Sequence, residues 1–288
     1  MMCCLLPVQL PDGTIVSGGG KDKAIHSWSP HYYSKLISND LPAMLGGVKT
    51  VTQGRGNRLL VGTTLNYILQ GTLDSYFNVV IQKGHADEVW CLTTHPSHHQ
   101  FISVADDHNV FLWDYSNTQN MEAKSSRMVL TLPAFIQVGH TAGIEHMDWS
   151  ADSQFLLSTS ADFEMNYWSA AVCKQVNNPG SMRDVTWATQ NCTLGFNVAG
   201  IWPEGSEGTD INCCSKAYNR PLLAAGDDWG KVKLYSYPTD KPKSGCQTYS
   251  GHSGGIMGVQ FLYNDARLLT TGGRDMAIMQ WEVCLSHF

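Results

Sequence analysis

The sequence predicts an all-β fold built from repeated small sheets, and an internal repeat is the main reason. Residues Gly19–Trp28 align without gaps to Gly272–Trp281 near the other end of the chain. Two copies between them keep the same six-residue step from an aspartate to a tryptophan, Asp107 to Trp113 and Asp162 to Trp168. A repeat of this kind indicates similar structural units that pack on one another.

Each copy has the same local pattern. An apolar strand comes first, a turn with the aspartate follows, and a second strand ends in tryptophan. Phe101–Val104 and Val110–Trp113 flank Asp107 in this way, while Phe155–Ser158 and Leu268–Thr271 precede the aspartates of two other copies. Short β-branched and aromatic runs between Gly, Asp and Asn predict strands and turns. No window has the periodicity of a long amphipathic helix.

Two further segments carry weaker versions of the pattern. Residues 45–73 have two apolar runs without the aspartate or the tryptophan. Residues 211–237 have Asp227-Asp228 in the turn, and Tyr235 replaces the tryptophan one residue late. Residues 181–209 form an insertion for which we expect apolar strands of its own. The sequence therefore predicts about six repeat units, some of them degenerate.

A Gly-His pair precedes three of the copies, at His85, His140 and His252. The distance to the turn aspartate is 22, 22 and 23 residues, which indicates one repeated piece of geometry. These marks resemble the WD40 repeat, whose four-stranded unit is one blade of a β-propeller. Only Trp113-Asp114 is a complete Trp-Asp pair.

The resemblance implies a buried hydrogen-bonded set in each complete repeat, made of the histidine, a strand Ser or Thr, the turn aspartate and the tryptophan. Such a network stabilises the fold only when every member is satisfied. Carried over to this sequence, the sets are His85, Ser103, Asp107 and Trp113; His140, Ser158, Asp162 and Trp168; and His252, Thr271, Asp275 and Trp281.

Composition narrows the class of protein. A hydrophobic content of 43% and a charged content of 15% over 288 residues are typical of a folded chain. The net charge of -6 argues against the concentrated basic surface that nucleic acid or an anionic membrane requires. Nine cysteines without a CxxC pair favour reduced thiols in the cytosol rather than a disulfide framework or a zinc site. We therefore expect a cytoplasmic protein.

Candidate catalytic and metal-binding residues give no site. The Gly-His histidines recur from repeat to repeat, which favours a structural role. His95, His98 and His99 lie near Cys91 and carry zinc-binding atoms, but Pro96 beside them favours a solvated loop. No nucleophile, metalloprotease or nucleotide motif is present in the sequence. We predict no catalytic, cofactor or metal site, and a propeller enzyme is the disfavoured hypothesis.

The insertion around Trp202 carries the clearest candidate for partner binding. Trp202-Pro203 gives a rigid apolar step, and Gly-spaced acidic residues follow, among them Glu204, Glu207 and Asp210. One interpretation is a packed loop between blades. The other is a loop that faces a partner, since binding residues concentrate on loops held by rigid scaffolds.

Residues 194–212 also resemble the echinoderm microtubule-associated protein-like family. The likeness continues through 16–22, 69–73, 84–90, 250–253 and 271–275, and it spans nearly the whole chain apart from its first residues and 115–136. It implies the second of two fused WD40 propellers, without the trimerising coiled coil and basic region of the family. The segment after Trp113-Asp114 implies one or two blades fewer than the family has, which leaves closure of the ring open.

The resemblance also implies a function. We expect residues 1–288 to form a single propeller domain, with an insertion at 181–209 and a divergent segment at 115–136. We predict a non-enzymatic, cytoplasmic protein that binds tubulin or microtubules and contributes to organisation of the cytoskeleton. The alternative is a general protein-interaction scaffold for a partner other than tubulin.

Overall fold

The computed structural model describes residues 5–32, 34–81, 84–114, 131–136, 140–202, 209–242 and 244–284; for 5–6 and 131–136 it describes the backbone only. The strands form six antiparallel sheets, numbered here as blades 1 to 6 in chain order. Blades 2 to 4 belong to one compact unit, residues 39–188. Blades 5 and 6 and blade 1 up to residue 38 belong to a second, which combines residues 1–38 and 189–288.

Strands that are neighbours in sequence are also neighbours within each blade. The strands are, in blade 1, β1 (Leu5–Gln9), β2 (Ile15–Gly18), β3 (Ala24–Trp28) and β4 (Lys35–Asp40); in blade 2, β5 (Val48–Gln53), β6 (Leu59–Thr63), β7 (Ile68–Gly71) and β8 (Asn78–Ile81); in blade 3, β9 (Val89–Thr94), β10 (Gln100–Ala105), β11 (Val110–Asp114) and β12 (Thr131–Ile136); in blade 4, β13 (Ile144–Trp149), β14 (Phe155–Ser160), β15 (Met165–Ser169) and β16 (Lys174–Gln175); in blade 5, β17 (Ile211–Lys216), β18 (Leu222–Asp227), β19 (Lys231–Ser236) and β20 (Gln247–Ser250); and in blade 6, β21 (Ile256–Phe261), β22 (Arg267–Gly272) and β23 (Ile278–Glu282).

The second strand of each blade is its most buried. All residues of β6 and β18 are buried, whereas β4 and β20, which are fourth strands, are almost fully exposed. A strand covered on both faces carries a continuous run of apolar and small residues rather than an alternation. In blades 1 and 5, the change from a fully buried second strand to an exposed fourth strand indicates a packed inner part and a solvated outer edge.

One turn conformation recurs in all six blades, between the second and third strands. In each blade, we call the tryptophan position the third-strand residue that is in register, across the second strand, with the last residue of the first strand. This position is occupied by Trp28, Gly71, Trp113, Trp168, Tyr235 and Trp281. Five residues before it the backbone has a positive φ, at Lys23, Asn66, His108, Phe163, Gly230 and Met276. The degenerate blades 2 and 5 therefore keep the hairpin geometry of the complete repeats.

Within the unit of residues 39–188, the two tryptophans at this third-strand position pack in clusters shared with the preceding blade. Trp113 belongs to a buried cluster that includes Ile68 and Ile81 of blade 2. Trp168 belongs to one that includes Val104 and Leu112 of blade 3. The repeated aromatic side chain is thus the contact through which one blade packs on the previous one.

The second unit brings the first and last repeats together. Ile15 packs with Leu262 and Leu269, and Trp28 lies against this cluster. The Tyr263 backbone N–H donates to Gln9 Oε1 at 2.8 Å, and the Arg267 guanidinium donates to the Pro30 carbonyl at 2.8 Å. Blades 6 and 1 are therefore neighbours held by apolar and polar contacts.

These sheets confirm the predicted class, an all-β, WD40-type β-propeller with six blades. In the described residues the helices are short 3₁₀ turns, Ala43–Leu45, Pro179–Met182 and Phe196–Ile201. None of them has the length and apolarity needed to cross a membrane.

The prediction of strands in the insertion is wrong for its described residues, 181–202. The apolar run there forms the 3₁₀ turn Phe196–Ile201 instead of a strand. Gly200 explains the difference, because its N–H donates to Thr239 O and a Cβ at this residue would lie 2.3 Å from the Lys241 carbonyl oxygen. This close approach holds the run against residues 239–241 and leaves no room for a side chain at residue 200.

The junction of blades 6 and 1 gives a first prediction. Leu269→Ala removes a side chain that is 1% exposed at this junction, and the change should lower the free energy of unfolding by about 2–4 kcal/mol. Leu36→Ala, at a residue 54% exposed on β4, should change it by less than about 0.5 kcal/mol. Urea denaturation followed by fluorescence compares the two; equal losses would contradict a packed junction.

Candidate functional site

Blade 3 contains the complete hydrogen-bonded set. His85 Nε2 lies 2.7 Å from Ser103 Oγ, and its Nδ1 lies 3.0 Å from both carboxylate oxygens of Asp107. The Trp113 indole N–H donates to the same Ser103 hydroxyl at 2.7 Å. The buried Ser103 hydroxyl therefore bridges the tryptophan and the histidine, and the histidine is hydrogen-bonded to the aspartate of the turn.

The turn aspartate is held by the backbone as well as by the imidazole. Asp107 accepts from the N–H groups of Ala86 and Asn109. Burial raises the pKa of Asp107, but the hydrogen bond and charge of His85, together with these two backbone donors, outweigh it and lower the pKa below its usual range. The carboxylate is thus ionised and fully engaged, which suits a structural role better than proton transfer.

Blade 6 repeats the arrangement with one correction to the predicted residues. His252 Nδ1 lies 2.9 Å from Asp275 Oδ2, as expected, but its Nε2 and the Trp281 indole N–H both bond to Thr270 Oγ1, at 2.7 and 2.8 Å. The predicted Thr271 is one residue too far, and its buried hydroxyl has no hydrogen-bond partner among the described residues. Adjacent strand residues face opposite sides of a sheet, so only one of two neighbouring threonines can take this place.

Blade 4 uses a longer connection. His140 Nε2 and the Trp168 indole both bond to Ser158 Oγ at 2.7 Å, but His140 Nδ1 bonds to Ser160 Oγ at 2.9 Å. Ser160 in turn donates to Asp162 at 2.6 Å. The predicted aspartate is therefore reached through a second hydroxyl and stands exposed at the surface.

Blade 1 has the tryptophan and hydroxyl but a different histidine. The Trp28 indole N–H donates to Ser17 Oγ at 2.8 Å. The imidazole beside the turn comes from β3, where His26 Nε2 lies 2.7 Å from Asp22 Oδ2 and Nδ1 lies 3.0 Å from Ser38 Oγ. His26, on the strand after the turn, thus binds the turn aspartate, as the histidine of the Gly-His loop does in blades 3 and 6.

Blades 2 and 5 lack both the histidine and the aspartate of the set. Six residues before the tryptophan position, where the complete blades have aspartate, these blades have Leu65 and Trp229. Leu65 is 49% exposed and Trp229 is 59% exposed. Asp227 and Asp228 precede this position, which explains why Tyr235 looks one residue late in the sequence. The exposed tryptophan was not singled out from the sequence, although the missing histidine marked the blade as different.

The Trp229 turn is fixed by its neighbours within the same unit. Asp227 Oδ1 accepts from the N–H groups of Trp229 and Lys231. Gly230 has φ +74°, and a Cβ there would lie 2.6 Å from the His252 carbonyl oxygen. The indole is therefore presented by a turn that rests on the Gly-His loop of blade 6.

The predicted partner loop is anchored at its start. The Trp202 indole N–H donates to the Thr193 carbonyl at 2.8 Å, and the half-buried ring packs against a cluster that includes Val198 and Ile201. Asp210 is exposed. Pro203, Glu204 and Glu207 lie outside the described residues. Trp202 thus holds the base of the loop rather than projecting from it.

The histidines near Cys91 do not converge with that thiol. Cys91 lies in the buried cluster of blades 3 and 4, and burial raises its pKa to about 12. His95 packs on His98 and on Trp149, with ring centroids 4.5 and 4.6 Å apart. Within the described ranges, no three His, Cys, Asp or Glu side chains are grouped so that they could hold a metal ion.

The two adjacent threonines of β22 provide a matched test of the network. Thr270→Val leaves the Trp281 and His252 ring nitrogens without their buried partner and should cost about 1–3 kcal/mol of stability. Thr271→Val removes a buried hydroxyl that has no partner in the described structure, so it should be neutral or stabilising. Urea unfolding of both variants tests this, and a costlier Thr271 change would restore the original assignment.

The network also predicts a pH dependence. Burial lowers the pKa of His140 below 6.5, more than Glu164 and Asp162 raise it. The unfolded state therefore binds more protons than the folded state below pH 6.5, and stability is lost as the pH falls from there through the lowered pKa. Between pH ~7 and ~5, stability should fall less steeply in His140→Gln than in wild type or the exposed-site control His31→Gln. Equal slopes would rule out this contribution.

Family models match the regions that carry this geometry. The model described as "Echinoderm microtubule-associated protein second beta-propeller" matches residues 133–283. A second model, "WD domain, G-beta repeat", matches residues 78–114, which contain the complete set of blade 3.

Curated relatives agree with the models. The chain is 38% identical to echinoderm microtubule-associated protein-like 1 of Mus musculus, over 95% of this chain and 42% of the relative. It is 36% identical to echinoderm microtubule-associated protein-like 2 of Rattus norvegicus, over 95% of this chain and 53% of the relative. It is 34% identical to the 77 kDa echinoderm microtubule-associated protein of Strongylocentrotus purpuratus, over 94% of this chain and 50% of the relative. The chain thus spans about half the length of these relatives.

The alignments are longer than the chain. The match to the mouse relative is 348 positions long, whereas this chain has 288 residues, so the relative contains stretches that this chain lacks. The match to the second-propeller model covers more than half of the chain. The chain belongs to the echinoderm microtubule-associated protein-like family and corresponds to its second WD40 β-propeller.

Proposed function

We propose that this chain is a non-enzymatic propeller that binds tubulin and contributes to organisation of the microtubule cytoskeleton in the cytoplasm. The observation that carries the proposal is the family match, because the relatives are named microtubule-associated proteins. The repeat histidines and aspartates support a non-catalytic role, since their hydrogen-bonding groups are engaged in holding turns.

The Trp229 turn is the surface we assign to tubulin. An indole 59% exposed on a fixed turn is costly to hydrate, and tryptophan is the residue most enriched among energetic hot spots of interfaces. The backbone of Gly254 lies between this turn and Arg274 of blade 6. A Cβ placed on Gly230 would lie 2.8 Å from the Gly254 carbonyl oxygen, and a Cβ placed on Gly254 would lie 3.0 Å from Arg274 Cβ. Met276, in the turn after Arg274, is 62% exposed. Trp229, Arg274 and Met276 form what we call the Trp229 surface.

Charge indicates how the contact would work. The chain has a net charge of -6, and tubulin is acidic, so long-range attraction does not drive their association. Binding through the Trp229 surface would depend on apolar contact and the single cation of Arg274. Salt screens charge–charge interactions and leaves apolar burial in place.

Purified chain and soluble tubulin provide the test. We expect saturable binding that Trp229→Ser weakens about tenfold or more, and that the control Tyr32→Ser, at a residue 83% exposed, leaves unchanged. Raising the salt from about 50 to about 200 mM should leave the affinity unchanged or slightly higher, because it screens repulsion between two acidic proteins. Sedimentation with tubulin, compared with an unrelated propeller, measures both.

Absence of binding above the unrelated propeller would reject the proposal for this chain. Binding that Trp229→Ser leaves intact would move the contact elsewhere. The loop after Trp202 remains the predicted alternative, in which the chain is a scaffold for a partner other than tubulin. Its half-buried, hydrogen-bonded tryptophan supports a fixed base for this loop, and the exposed Asp210 lies near its other end.

A further inference from the structure

Two neighbouring loops of blades 2 and 3 form a cluster of basic side chains. One loop joins β5 to β6 and carries Arg55, and the other joins β9 to β10 and carries three histidines. Residues 54–58 and 94–100 contain no aspartate or glutamate, although the chain as a whole has a net charge of -6. The cluster is therefore a local basic surface on an acidic protein.

His95 holds the second loop in place. Its Nδ1 accepts from the backbone N–H groups of Ser97 and His98, at 3.0 and 2.9 Å. Its ring packs on the ring of Trp149, which is 2% exposed, with centroids 4.6 Å apart. Burial lowers the pKa of His95 below 6.5, and the neighbouring His98 and Arg55 lower it further, so the ring is neutral at pH 7. A neutral imidazole whose Nδ1 accepts carries its proton on Nε2.

This placement of the proton also fixes what His98 presents. His95 Nε2 lies 3.3 Å from His98 Nδ1, and Ser97 Oγ lies 3.1 Å from the same atom. Because His95 Nε2 donates, His98 Nδ1 accepts, and the proton of a neutral His98 ring lies on Nε2. His98 is exposed, and its Nε2 has no hydrogen-bond partner among the described residues. The loop therefore presents an N–H donor to solvent at His98.

The Arg55 guanidinium joins the two loops. Its Nη1 donates to His99 Nε2 at 3.1 Å, and its Nη2 donates to the Ser97 carbonyl oxygen. A guanidinium has more N–H groups than these two bonds use, and that of Nε is among the remainder. Arg55 is exposed, and the described part of the chain places no carboxylate within ion-pair distance of it. The guanidinium is thus held in place while part of its edge stays available.

Two acidic residues at the same end of blades 3 and 4 are bound to neighbours. Asp114 accepts from the Gln100 amide at 3.3 Å. Asp152, in the loop that joins β13 to β14, accepts from the Ser150 hydroxyl at 2.6 Å and from the Gln154 N–H at 3.0 Å. The basic cluster thus presents hydrogen-bond donors and a permanent positive charge, which together suit a negatively charged acceptor.

We propose that Arg55 and His98 bind an acidic segment of a protein partner, whose aspartate or glutamate carboxylates accept from the guanidinium and from His98 Nε2. One guanidinium beside an imidazole donor matches a carboxylate, which carries a single charge. A phosphorylated side chain carries about 1.5 to 2 charges and is typically bound by clusters of arginines. Both residues lie on exposed loops, whereas sites for small molecules are concave, which favours a partner segment over a free metabolite.

Oligoglutamate and oligoglutamine peptides of equal length test the surface on the whole chain. Fluorescence anisotropy should show saturable binding of labelled oligoglutamate and no binding of oligoglutamine. Raising the salt from about 50 to about 200 mM should weaken the binding at least about threefold, because salt screens exposed charges. With nitrogen-15-labelled histidine, the Nε2 resonance of His98 should shift when oligoglutamate is added.

Variants of the chain give the complementary test. Arg55→Gln removes the charge and should weaken oligoglutamate binding about tenfold, and Arg55→Lys should restore only part of it because lysine lacks the planar fork. His98→Ala removes the second donor and should weaken binding about threefold. Arg183→Gln, at another exposed arginine of the same unit, is the matched control and should bind as wild type. Thermal unfolding checks that each variant is folded.

Three outcomes would overturn the proposal. The first is equal binding of the two peptides, and the second is binding that neither Arg55→Gln nor His98→Ala weakens. The third is a phosphoserine peptide of the same length that binds more than about tenfold tighter than oligoglutamate, which would assign the cluster to phosphorylated partners.

This inference does not depend on tubulin being the partner. The tubulin proposal is tested by Trp229→Ser, on a turn of blade 5, and by an affinity that salt does not weaken. Oligoglutamate binding is tested by Arg55→Gln and by an affinity that salt does weaken. Either proposal can therefore fail without the other.

Discussion

A single shared hydroxyl is the constraint on which each complete blade depends. Ser103, Ser158 and Thr270 each accept from the indole of a third-strand tryptophan and bond to the Nε2 of a histidine that arrives from a loop. The tryptophan ring packs on the preceding blade, while the histidine reaches the next turn. Because these groups are buried or half-buried, loss of one leaves the others without partners, and the apolar interface and the loop are stabilised together.

The departures from this arrangement are informative for the same reason. Where the loop histidine is missing, an aspartate in the turn has no buried partner to satisfy. Blade 1 keeps Asp22 because His26 supplies an imidazole from the strand. Blades 2 and 5 have Leu65 and Trp229 at that position instead. Without a place in the polar network, this position carries an apolar side chain that faces solvent on a turn of unchanged backbone.

The outer edges obey a different constraint, which is coverage. The second strand is the most buried of each blade, whereas residues of the third strand are covered where a fourth strand pairs with them. Ile68 and Ile278 hold the same place in two blades, and among the described residues only the first has a covering strand. Ile68 is fully buried and Ile278 is partly exposed, which follows from this difference in coverage.

The sequence alone determined the fold class, the repeat boundaries and most of the hydrogen-bonded residues, because an Asp-to-Trp step and a His-to-Asp spacing are local patterns that survive divergence. It misplaced the hydroxyl at Thr271, since the pattern does not fix which of two adjacent threonines faces the tryptophan. Only the tertiary structure decided that Trp202 anchors its loop, that Trp229 is exposed and that β23 has no covering strand among the described residues. Each of these depends on which segments from elsewhere in the chain lie beside the residue, and no local spacing records such neighbours.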